Sequence, residues 1–137
     1  MIKCSDRRWT KAKLISLKLW PLAGMANFKL NVSDPKTGKT MVKELKDREA
    51  QALVGLKIGD VFDASVIGIN GKVKITGGSD KAGFPMRSDV HGGVKARVLL
   101  TKGVGLRSVE KGQRKRKLVR GNTITDEIYQ VNAVLVE

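Results

Sequence analysis

A single histidine, His91, and a single cysteine, Cys4, narrow the chemistry open to this chain of 137 residues. One thiol allows neither an intrachain disulfide nor a thiolate metal cluster, and makes a reducing compartment the default. One imidazole rules out His-rich zinc sites and leaves any Cys/His or Ser/His mechanism a single base. That base precedes Gly92-Gly93 and reads as a polar loop residue. Asp60 and Asp63 are the closest carboxylate pair in an apolar stretch. Asp60 sits in a Gly-Asp turn and Asp63 on the polar side of a strand pattern, so both read as structural. Gly78 to Gly83 has the G-x-x-x-x-G spacing of a phosphate loop, but Phe84-Pro85 follow where Lys and Ser/Thr are required. Gly103 and Gly105 lack the third glycine of a dinucleotide fingerprint. No catalytic residue, metal or cofactor is expected.

The chemistry that remains is charge. Residues 81–120 hold twelve Lys or Arg against two acids, Asp89 and Glu110, and so carry ten of the net +14. Residues 25–80 are nearly balanced, with nine bases and seven acids, and residues 121–137 have three acids and no base. A solvated face mixes signs, whereas a one-signed stretch of this length is a footprint for a polyanion. The candidate contacts are Lys81, Arg87, Lys95, Arg97, Lys102, Arg107, Lys111, Arg114, Lys115, Arg116, Lys117 and Arg120. Arg forks onto phosphate oxygens and Lys acts as a point charge. Aromatics make up only 4% of the chain, so shape and phosphate recognition of folded RNA fits better than base stacking, which would rest on Phe84, Tyr129 or Arg planes.

The elements that must position these cations are short strands. Phe28, Leu30 and Val32 alternate with Lys29, Asn31 and Ser33 as in a half-buried strand. Asp34 to Gly38 is turn chemistry, and Thr40 to Leu45 returns as the second arm of a hairpin. Asp47 is placed to cap a short helix running to Gly55, with Ala50, Leu53 and Val54 on its buried face. Val61 to Ile69 reads as a buried strand, Asn70-Gly71 as a type I′ hairpin turn, and Val73 to Thr76 as the return strand. Ser79 to Gly93 is a long irregular loop, of the kind that is functional or disordered. Val94 to Leu100 is a strand that projects Lys95 and Arg97 to one face, and Ile128 to Val136 is a closing strand. Between them, Arg114 to Lys117 are four successive bases, which predicts an arm from Gln113 to Arg120 that is mobile until it meets an anion. Six or so short strands with glycine turns and almost no helix predict an all-β fold, a small closed six-stranded-type β-barrel with one or two short helices and long basic loops.

Residues 1–24 differ in texture, holding both Trp residues, the Cys and six bases against one acid. The apolar run Leu14 to Leu22 is broken by Lys18 and Pro21 and falls far short of the ~20 residues that span a bilayer. Lys18 also spoils the apolar region of a secretory signal. The expectation is a leader at 1–24 from an upstream start, with Met25-Ala26 as the natural beginning and one domain at 25–137.

Two motifs, GGSDKAGFPM from Gly77 and GQRKRKLVRG from Gly112, together with FKLNVSDPKTGK from Phe28, resemble the archaeal and eukaryotic-type ribosomal protein six of the small subunit. The resemblance covers residues 25–137. It implies a β-barrel body at the foot of the small subunit, in the cytoplasmic ribosome, whose basic loops contact ribosomal RNA without catalysis. It makes RNA-facing candidates of Lys81 and Arg87 in the first motif and of Arg114, Lys115, Arg116, Lys117 and Arg120 in the second. It also implies neighbouring small-subunit proteins as partners, and no membrane or small-molecule substrate. Eukaryotic members continue into a long basic helix ending in phosphorylated serines, whereas this sequence stops at Glu137; the short archaeal form is the better match, without kinase regulation. Two rival readings use the same residues: a free-standing RNA- or DNA-binding regulator with this basic face, and an enzyme holding a phosphorylated ligand in the Gly77 to Gly83 loop.

Overall fold

The computed structural model describes residues 27–46 and 48–136. The leader, the start at Met25 and the capping role of Asp47 lie outside the described residues. Seven strands are formed: β1 (Phe28–Ser33), β2 (Thr40–Leu45), β3 (Val61–Asp63), β4 (Lys72–Asp80), β5 (Lys95–Leu100), β6 (Lys115–Arg120) and β7 (Ile128–Val136). Five of them make one sheet in the order β2-β1-β7-β4-β3, and β5 pairs with β6 in a second. Neighbours are antiparallel except β1 and β7, which bring the two ends of the described chain together in parallel.

Alternation in β1, β4 and β7 puts Phe28, Leu30, Val32, Val73, Ile75, Val131 and Ala133 on one face of the large sheet. Ala50, Leu53, Ala64, Ile67 and Ile124 cover that face and complete an aliphatic core. A second, smaller cluster of Leu100, Leu106 and Val119 lies under the two-stranded sheet.

The expected closed six-stranded barrel is not formed. β2 and β3 are the two edges of the large sheet, and β5 and β6 pair only with each other, so neither sheet closes. A barrel strand needs one face apolar throughout. β6 has none, because Lys115 and Lys117 occupy one side of its outer half and Arg116 the other. Strand count was a poor guide to closure for this reason: the ribbon's charge keeps it outside any interior.

Local differences have similar causes. Val61 to Ile69 is a strand only to Asp63; Ala64–Ile67 form a 3₁₀ turn that buries Ala64 and Ile67 three apart, leaves Val66 exposed, and ends on left-handed Gly68. Asn70-Gly71 is therefore not a two-residue hairpin turn, since the link from Asp63 to its partner Lys72 contains that whole turn. The helix is shorter than expected, α1 (Arg48–Gln51), with Ala50 and Leu53 buried and Val54 exposed. The first loop is closed as expected by Asp34, whose carboxylate accepts from the Lys36 amide at 2.9 Å and the Thr37 hydroxyl at 2.8 Å. Hydrogen bonding to the ionised form holds the Asp34 carboxyl below its ordinary range.

Candidate nucleic-acid interface

The four successive bases are part of a strand, and the register explains how. Lys115 faces Leu100, Arg116 faces Leu99, Lys117 faces Val98 and Leu118 faces Arg97. Each cation thus opposes an aliphatic side chain across the ribbon, never another cation, and like charges directly opposite are what destabilises a pair of strands. Ala96 faces buried Val119 and anchors the inner end.

The exception is Lys95 opposite Arg120, where two cations meet. Between them lies Asp80, at the end of β4 and 3% exposed. Its Oδ2 is 2.8 Å from Lys95 Nζ and 3.2 Å from Arg120 Nη1, and its Oδ1 accepts the Lys81 amide at 2.6 Å. Arg120, also 3% exposed, reaches Glu127 with Nη1 and donates from Nη2 to Thr125 Oγ1 at 2.6 Å. Lys95 Nζ also sits 5.5 Å from the Phe84 ring centroid. This cluster ties the two-stranded sheet to the large one, joining β4, β5, β6 and the approach to β7. Backbone bonds between Pro85–Arg87 and Arg120 run alongside it, with Arg120 N to Pro85 O at 2.9 Å and Arg87 N to Arg120 O at 3.0 Å.

Burial pushes the Asp80 carboxyl up, but the hydrogen bond from Lys95, the Lys81 amide and the Arg120 charge outweigh it, and the net shift is downward. Glu127 is likewise lowered, by the hydrogen bond and charge of Arg120. A carboxyl with a depressed folded pKa stabilises the fold above its unfolded pKa, about 3.9 for Asp, and that contribution is lost as pH falls from there through the folded value. Asp80→Asn is expected to cost about 3 kcal/mol at pH 7, since it removes the buried anion of Arg120 and leaves it only the solvent-exposed Glu127. Urea denaturation at pH 7 and pH 3 checks this: the gap between variant and parent should narrow at pH 3, and a gap independent of pH would mean that the charge on Asp80 is not what matters.

The other candidates divide clearly. Lys81, Arg97, Lys102, Arg107, Lys111, Arg114, Lys115, Arg116 and Lys117 are exposed, and among the described residues none lies within ion-pair distance of a carboxylate. Arg97 and Arg116 share the open face of the ribbon with exposed Leu99, while Lys115 and Lys117 rim the opposite face. Lys102 and Arg107 flank the tight turn between Gly103 and Leu106. Arg87 is half-buried and pinned, donating to Val104 O at 2.6 Å and pairing with Asp89 at 2.5 Å. Arg120 is inside the fold. Charge counting placed it with the surface bases; the acids that neutralise it, Asp80 and Glu127, are 40 and 7 residues away in sequence, and nothing in their local pattern marks them as its partners.

The glycine loop offers no phosphate cradle. Gly77, Gly78 and Ser79 belong to β4, paired with Asn132, Val131 and Gln130, and the Gly83 amide is spent on Asp80 O at 2.9 Å. His91 is exposed, and Asp60 accepts the Lys57 amide at 2.8 Å as a turn residue does.

The two motifs thus meet in space through Asp80 and Arg120. A family model described as ribosomal protein S6e matches residues 28–137, the whole of this fold. The chain belongs to the ribosomal protein S6e family. Among its relatives in that family, the small ribosomal subunit protein eS6 of Nitrosopumilus maritimus is 63% identical over 108 residues, 79% of this chain and 78% of that protein. The eS6 protein of Methanococcus maripaludis strain C5 is 53% identical over 111 residues, 80% of this chain and 87% of that protein. That of Staphylothermus marinus is 56% identical over 92 residues, 66% of this chain but only 43% of the longer relative.

Proposed function

We propose that this S6e-family chain is a structural, non-enzymatic constituent of the small subunit of the cytoplasmic ribosome, and that it binds ribosomal RNA through the β5–β6 ribbon and its loops. The observation that carries the reading is the set of exposed, unpaired bases, all of one sign, on a ribbon whose inner end alone, at Lys95 and Arg120, is neutralised by ion pairs. Arg97, Lys102, Arg107, Lys111 and Arg114 to Lys117 are the phosphate contacts, with Lys81 beside them. Exposed Lys95 and buried Arg120 orient the ribbon through Asp80, and Arg87 holds the loop beneath it. The folded unit is residues 25–137, and its other partners are neighbouring small-subunit proteins.

Sedimentation tests the assignment. The chain, expressed in an archaeal host, should stay with the small subunit through a high-salt sucrose gradient. A free pool with no ribosomal fraction would instead favour a free-standing nucleic-acid-binding regulator.

A further inference from the structure

The first motif is poor in charge, with Lys81 and, at its end, Arg87 as its bases, so phosphate binding leaves most of it unexplained. Gly77 and Gly78 from this motif form the floor of a groove of about 340 Å³ on the outer face of the large sheet, together with Asn132 of β7. Pro85, Arg87 and Val104 stand on its walls. The floor is flat because two consecutive strand residues carry no side chain, and a Cβ added at Gly77 would meet nothing within 4 Å.

The groove has a fixed polar reader. Asn132 Oδ1 accepts from Gln130 Nε2 at 2.8 Å and from Asn31 Nδ2 at 3.3 Å. These two donors set the amide's orientation and leave Nδ2 as the donor that Asn132 offers to the groove it lines. The wall carries one charge of each sign: Arg87 bonds the carbonyl of exposed Val104 and pairs with Asp89, which also lines the groove. A flat, weakly polar floor with one oriented N–H donor, beside a neutralised Arg87–Asp89 pair, matches an unstacked nucleobase, which is planar, uncharged and carries acceptors on its edge. A peptide segment would find no open strand edge at the floor, where β4 is already paired with β7.

We propose that this groove accepts a single unpaired base of ribosomal RNA, stacked on the Gly77–Gly78 peptide planes, with Asn132 Nδ2 donating to an acceptor on the base edge. The proposal rests on the ribosomal reading above and adds a second mode of contact: the ribbon holds phosphates, and the groove holds a base. It also gives the glycine pair a role unrelated to nucleotide hydrolysis.

The test uses the full chain, a transcript of the small-subunit ribosomal RNA of Nitrosopumilus maritimus, and the variant Gly77→Leu, whose side chain would occupy the groove. The parent should protect at least one unpaired base from base-modifying reagents. Gly77→Leu should lose that protection and bind about tenfold more weakly, within the range one stacked base contributes, with an unchanged salt slope because no phosphate contact is removed. A variant with the parent's affinity and base protections overturns the groove alone. A parent that fails to bind the transcript overturns the ribosomal reading and the groove with it. If Gly77→Leu does not fold, ultraviolet crosslinking of the parent decides: base crosslinks within residues 77–89 or at Val104 support the groove, and crosslinks confined to residues 95–100 and 111–117 overturn it.

Discussion

Gly121→Ala is expected to melt roughly 10–20 °C below the parent, a loss of about 3 kcal/mol for a domain of this size. Gly121 follows Arg120 at the end of the second motif, and its amide donates to Val94 O at 3.1 Å. A Cβ there would overlap the carbonyl of Gly92, which itself accepts the Thr123 amide at 3.2 Å. The obstacle is backbone on backbone, so no rotamer change relieves it, and either the turn at Val90–Gly93 or the strand end at Arg120 must move. Moving either strains the Asp80–Arg120 cluster beside it. The comparison that gives the result meaning is Gly77→Ala, where a Cβ meets open space and the loss should stay near 1 kcal/mol or less. Thermal unfolding followed by circular dichroism reads both. Equal midpoints for the two variants would mean that the Gly92–Gly121 approach does not constrain the fold.

Those glycines mark the limit of what the sequence reveals. The strands β1, β2, β5 and β7 were legible because period-two alternation is local and their flanking turns are Gly, Asp or Pro. Pairing was not legible, because hydrogen-bond partners are a long-range property: β1 lies parallel to β7, about a hundred residues later, as the register Leu30 to Val131 records. Count and alternation alone favoured closure into a barrel, and only the distribution of bases on both sides of β6 argued against it. The candidate site divides in the same way. Exposed cations are visible as a one-signed run, but Arg120 looks like its neighbours in that run and differs only in meeting Asp80. Likewise Gly92 and Gly93 read as loop residues and Gly78 as the start of a loop spacing, whereas Gly78 sits in a strand where a Cβ would overlap the Gln130 carbonyl. Close backbone approach leaves no local signature beyond the glycine itself.

Neutralising Arg114, Lys115, Arg116 and Lys117 together is expected to flatten the salt dependence of RNA binding by about two to four units of log K against log salt, and to leave the fold intact. Each phosphate neutralised on a duplex contributes about −0.9 to that slope, and on a single strand about −0.7. The ribbon sharpens this expectation, because successive residues of a strand point to opposite faces. Arg116 shares the open face with Arg97 and exposed Leu99, while Lys115 and Lys117 lie on the side of Val98 and Leu100, where the small apolar cluster packs. An RNA surface that meets the ribbon from its open side touches Arg97 and Arg116 first. The Arg97/Arg116 pair should then flatten the slope by roughly one and a half to two units, and the Lys115/Lys117 pair by distinctly less. The fold tolerates either change, since none of the four side chains is paired with an acid and each opposes an aliphatic or lies open to solvent. Filter binding across a salt series resolves the pairs. Equal flattening by both would place RNA on both faces of the ribbon, as in a groove that encloses it. No change from either pair, or from all four together, would remove β6 from the interface and leave the contact to Lys102, Arg107 and Lys111 in the flanking loops.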